Sequence, residues 1–173
     1  MKLAATFSPD RKYRYSLSRI WNEKCPLLMW IMLNPSRADQ TRDDPTIKHC
    51  VTWSINAGYG GILVYNLFAH RSTYPESLLT AKDPVGPEND ERIIQAIRSV
   101  DKAVCAWGTV SKKLAWRPLY VLGLLENLTG LYALRFNKGG DPAHPLYLRY
   151  NLKLSPIDVD AMKRVYRERN APL

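Results

Sequence analysis

Apolar residues in this chain fall into short runs whose spacing switches between strand and helix periods, and that switching predicts the elements. Tyr13, Tyr15 and Leu17 alternate with polar residues and lead to Ile20 and Trp21, and a turn-like stretch from Asn22 to Pro26 precedes the unbroken apolar run 27–33. These two runs read as an antiparallel pair leading into a sheet. The second has no polar alternation, the pattern of a strand covered on both faces in parallel α/β sheets. Asp44 and Pro45 then supply an N-cap and a first-turn proline for a helix with Ile47, Val51 and Ile55 on one face and Gly58 at its end.

Further buried strands are expected at 61–67, 102–107 and 131–136. Helices are expected at 89–100, at 110–125 with a restart at Pro118, and from Ser155, Pro156 and Asp158 onward with Met162, Val165 and Tyr166 inward. Residues 68–90 read as a long loop containing Pro75, Pro84, Gly86 and Pro87, and loops of that length inside a compact domain usually serve function. Alternation of this kind implies a three-layer α/β/α sandwich with a mostly parallel central sheet of about four strands, plus an N-terminal antiparallel strand. At 173 residues the chain reads as one domain, 1–173.

Composition narrows the class. With 46% hydrophobic and 24% charged residues the chain reads as an ordinary globular protein rather than a disordered or fibrous one. The apolar patch at 3–7 is too short for a secretory signal or a membrane span, so a cytoplasmic location away from membranes is expected. Cys25, Cys50 and Cys105 are odd in number and widely spaced, which predicts free thiols rather than disulfides or a zinc site. The net charge of +9 is unevenly spread: residues 1–30 carry six Lys/Arg against two acids, whereas 76–101 are dominated by acids. One basic face suggests a polyanion, either nucleic acid or a nucleotide, as partner. No obligate protein partner is expected.

In parallel α/β sheets ligands sit beyond the carboxyl ends of the strands. Those ends carry Asn34 to Asp39, Asn66 to Arg71, Trp107 to Thr109, and 137–147 with His144 and Pro145. Dinucleotide-binding, P-loop, zinc-protease and hydrolase-elbow signatures are missing from the sequence, which leaves a polar, amide-rich set with one histidine.

Six ordered motifs then bring a resemblance. L-N-P-S-R-A-D at 33–39, D-P-T-I at 44–47, N-L-F-A-H-R at 66–71, D-P-V-G-P-E-N-D at 83–90, A-W-G at 106–108 and H-P-L-Y at 144–147 resemble a widespread, uncharacterised bacterial and phage domain family. More distantly, the landmark order is similar to the uracil-DNA glycosylase superfamily: a polar residue beside proline after the first strand, an asparagine ending the second, W-G ending the third, H-P after the fourth. This resemblance implies a glycosylase-like fold and hydrolysis of an N-glycosidic bond to an unusual or modified pyrimidine, with no cofactor and no metal.

The implied roles have a chemical logic. His144, held by Pro145, would donate a hydrogen bond to the departing base, and Asn66 would read a pyrimidine edge through its amide. Asn34 would orient water; an amide cannot take its proton, so Asp39 is the candidate base. Phe68, Trp107 and Tyr147 are candidates to stack on the base. Ser36, Arg37, Arg71, Lys138 and Arg149 are candidates to contact phosphates. Two departures stand out: H-P-L-Y replaces the H-P-S-P-like stretch, and a DNA-intercalating leucine segment has no clear counterpart. A non-catalytic module binding a nucleotide or modified base is the main alternative. Asp39, Asp43, Asp44 and Asp83 as Mg²⁺ ligands of a nuclease or nucleotide hydrolase form a third reading.

Overall fold

The computed structural model, which describes residues 1–128 and 130–171, contains one seven-stranded mixed sheet and four α-helices. The strands are β1 (Lys2–Phe7), β2 (Arg14–Ile20), β3 (Leu27–Met32), β4 (Gly61–Asn66), β5 (Lys102–Cys105), β6 (Gly130–Ala133) and β7 (Ser155–Pro156). The helices are α1 (Pro45–Asn56), α2 (Asn89–Ile97), α3 (Trp116–Leu125) and α4 (Val159–Asn170). Spatial order across the sheet is β1-β2-β4-β3-β5-β6-β7, and the four central strands are parallel. Antiparallel strands close both edges, β1 and β2 on one side and the two-residue β7 on the other.

Burial on both faces explains the parallel core. Leu28, Trp30 and Met32 of β3 join Ile47, Cys50 and Trp53 of α1 in one cluster, while Met29 and Ile31 join Ile93 and Ile97 of α2, Val121 and Leu125 of α3 and Met162 and Tyr166 of α4 in another. The sheet therefore separates α1 from the other three helices. The α1 cap is as the sequence implies: Asp44 accepts a hydrogen bond from the Ile47 amide at 3.0 Å, and Pro45 fills the first turn, where no amide partner is needed.

Several expectations need correction. The alternating run of β2 pairs with β1 and β4, not with the apolar run of β3. The segment after β2 carries the chain past the end of β4, where the amides of Trp21 and Asn22 both donate to the Gly60 carbonyl, so β4 takes the slot between them. Residues 2–7 form a full edge strand, where the pattern alone predicts only a short apolar patch. Ser155 and Pro156 pair with β6 instead of starting the last helix, which begins after Asp158 as its cap. The helix at 89 ends at Ile97 rather than Val100, and β6 stops at Ala133, short of Phe136. Among the described residues no helix is long and apolar enough to cross a membrane.

Candidate active site

The chain leaves β3 toward β4 on one side and leaves β5 toward β6 on the other. The carboxyl ends of β3 and β5 therefore flank the switch point where such sheets open a crevice. A cleft of about 310 Å³ lies there. Met32, Leu33, Asn34 and Ser36 line it from the β3 end, Trp107, Gly108 and Thr109 from the β5 end, and Asp44, Thr46 and Ile47 from the start of α1. Arg14 at the start of β2, Ser72, Thr73 and Pro75, and His144 from the loop after β6 complete it.

His144 reaches solvent at the cleft, while the protein packed around it lowers its pKa; Asp44 opposes that shift and His49 adds to it. Its Nδ1 accepts a hydrogen bond from the Leu146 amide at 3.3 Å. That contact assigns the proton of the neutral ring to Nε2, leaving a neutral donor for a ligand. Gly108 makes room for the histidine. Its φ is +74°, and its amide donates to the Pro142 carbonyl at 2.9 Å, tying the Trp-Gly turn to the loop that bears His144.

Asn34 is held by its amide nitrogen, which donates to the Ser72 carbonyl at 2.8 Å and the Pro35 carbonyl at 3.2 Å. Its Oδ1 is left to accept from a ligand or water. Asp44, the only carboxylate among the lining residues, uses Oδ1 for the α1 cap. Arg14 is buried, donates through Nη1 to the Ala38 carbonyl at 2.8 Å, and leaves Nε without a partner. No ion pair reaches it among the described residues. Burial pulls its pKa down to about 10, and the Asp44 charge works against that, so it is cationic at neutral pH.

Other expected residues lie elsewhere. Asp39 does not line the cleft; its Oδ1 accepts from the amides of Thr41 and Arg42, both at 2.9 Å, and these bonds lower its pKa. It stabilises a turn. Phe68 is fully enclosed and packs edge-on against Trp116, 6.0 Å between ring centroids, so it offers no face to a base in the cleft. Trp107 lines the wall but is buried, with Nε1 donating to the Tyr166 hydroxyl at 2.7 Å. Tyr166 donates in turn to Asp141 at 2.9 Å, and Arg169 pairs with the same carboxylate. Asn66 is the register partner of Met32, so it flanks a residue of the cleft wall, yet it is buried and both its amide atoms lack partners. Tyr147 is 91% exposed at a left-handed φ of +71° and stands outside the cleft lining.

Of the phosphate candidates, Ser36, Arg37 and Arg71 come together in a groove beside the cleft, whereas Lys138 and Arg149 line neither. The four aspartates of the metal reading are each engaged separately. Asp43 pairs with Arg19, Asp83 accepts from the Val85 and Gly86 amides, and Asp39 and Asp44 hold a turn and a cap. Among the described residues no group of three or more His, Cys, Asp or Glu could hold a metal ion. The pattern does not point to Arg14 as a cleft group, and it brings in Asp44 only as a helix cap and one of four candidate metal ligands. Asp44 was masked by its evident capping role, and Arg14 carries no signal beyond a charge in an alternating strand.

No curated protein matches this chain. Among solved structures, a crystal structure from Agrobacterium vitis S4, whose assignment as a hydrolase is provisional, aligns at a TM-score of 0.40 and 14% identity, covering 76% of this chain. The aligned part is 49% of that protein, so this chain spans about half its length. Residues 14–146, from Arg14 to just beyond His144, match the family described as Protein of unknown function (DUF1643), and the chain belongs to that family.

Proposed function

We propose that this protein is a base-recognising N-glycosylase-like hydrolase acting on an unusual or modified pyrimidine of a nucleic acid or nucleotide. The observation that carries this reading is the neutral His144, with Nε2–H free to donate, sharing one cleft with the Asp44 carboxylate and the Asn34 amide oxygen. Cleavage of a glycosidic bond sends the bonding electron pair onto the base and leaves a cationic, oxocarbenium-like sugar. His144 meets the negative charge growing on the base oxygen, and a preorganised donor at that point stabilises the departing base. Asp44 faces the sugar cation and takes the proton of the attacking water, the task that the sequence alone would give to Asp39. Asn34 accepts from that water and aims it. Arg14 adds a second donor toward an electronegative group of the ligand.

The landmark order supports the same reading. Asn34 and Pro35 follow the first parallel strand, Asn66 ends the second, Trp107 and Gly108 follow the third and His144 lies beyond the fourth. The test is incubation without metal of the purified protein with oligonucleotides and nucleotides bearing uracil and modified pyrimidines, with released base read by mass spectrometry. Release of one base, abolished by His144→Ala, is the expected result. Tight retention of one ligand with no release under any condition would overturn catalysis and leave a base-binding module.

A further inference from the structure

Beside the cleft runs an open groove of about 500 Å³ lined by Arg11, Lys12, Arg37, Arg42 and Arg71, with His70 and no carboxylate among its lining residues. Ser36, Ser72 and Thr73 line both spaces, so groove and cleft are continuous. Its charge is poorly compensated. The guanidinium groups of Arg11 and Arg71 both lie over the Phe7 ring, 4.1 and 4.8 Å from its centroid, which holds two like charges together. Arg71 also keeps a buried Nε without a partner, and burial, then the nearby Arg11, lower its pKa, with Asp39 opposing. Neither Arg37 nor Arg42 makes a side-chain hydrogen bond or ion pair among the described residues. Such an arrangement asks for several anionic groups in a row.

We infer that the substrate is a single nucleic-acid strand, its phosphates tracking along Arg11, Lys12, Arg37, Arg42 and Arg71 while one nucleotide turns into the cleft. This identity of substrate rests on the base-hydrolysing reading of the cleft; the groove itself does not. One basic track fits one backbone: the cleft wall of Trp107, Gly108, Thr109 and His144 carries no lysine or arginine. Tyr74, 72% exposed between the cleft residues Thr73 and Pro75, supplies a ring on which a neighbouring base can stack.

Fluorescence anisotropy with a single-stranded oligonucleotide of about ten nucleotides, titrated at several salt concentrations, tests this. Five phosphate contacts at about 0.7 each in the salt slope predict about a hundredfold loss of affinity when salt rises fourfold. Arg37→Ala and Arg42→Ala should each flatten the slope by about 0.7, and Arg164→Ala on the exposed face of α4 should not. A mononucleotide should bind far more weakly and with little salt dependence. Equal affinity for strand and mononucleotide, indifference to the groove substitutions, preference for duplex, or binding of an acidic peptide in place of the strand would each overturn the inference. Base release from mononucleotides without strand binding would leave the hydrolase reading standing alone. Strand binding through the groove with no release from any substrate would sink the hydrolase and keep the groove.

Discussion

Gly108 lies directly against His144: a Cβ built on the glycine would come within 3.2 Å of the histidine Cβ. At φ +74° an alanine there is strained as well as crowded, at a cost of about 1–2 kcal/mol. Gly108→Ala should lower the melting temperature modestly and cut base release by about tenfold to a hundredfold, because the imidazole must move. Unchanged turnover in a folded Gly108→Ala protein would remove His144 from the reacting geometry.

Asp44 separates capping from chemistry. Asparagine caps a helix about as well as aspartate, whereas alanine costs about 1 kcal/mol. Asp44→Asn should therefore melt near the parent temperature and yet lose about a hundredfold or more in turnover, while Asp44→Ala loses both. Thermal melts beside single-turnover assays check the pair; an active Asp44→Asn protein would return the base to another group.

Arg14 is a buried charge that no carboxylate among the described residues neutralises by direct pairing, a condition that functional sites tolerate and stable cores avoid. Replacing it with methionine removes the charge and keeps much of the volume. The Arg14→Met protein should melt no lower than the parent but retain ligand at least tenfold less well, as measured by calorimetry. A large drop in melting temperature would make Arg14 a scaffold residue.

All three histidines, His49, His70 and His144, have pKa values lowered by burial. The unfolded chain therefore binds protons more readily than the folded one below the ordinary histidine value of about 6.5. Stability is fully present above that value and declines as pH falls through it toward the lowered folded values. Melting temperatures measured from pH 8 down to about pH 5 should drop, and the drop should shrink in His144→Asn. A flat profile would mean that the rings are solvated.

Much of this was legible in the residues. Apolar runs without alternation located the four parallel strands, and Asp44-Pro45 fixed the start of α1, because burial on both faces and capping are local in sequence. Strand neighbours were not: nothing in Tyr15 or Leu17 says that β4, rather than β3, lies beside them. The cleft was legible by topology, which placed Asn34, Trp107 and His144 together. It was not legible for Phe68, whose position after a strand end resembles a site residue but whose ring is turned into the core. Likewise Asp39 and Asp44 carry the same chemistry a few residues apart, and only the path of the loop decides which one enters the cleft.

The last helix contributes no side chain to the cleft wall, and it lies beyond the residues that match the family. Through Tyr166 and Arg169 it nonetheless grips Asp141, three residues before His144, and through Tyr166 it grips Trp107. Both walls of the cleft are thus tied to one helix that lies outside it. Amide exchange in α4, compared with that in the central sheet, would report whether this helix opens apart from the strands.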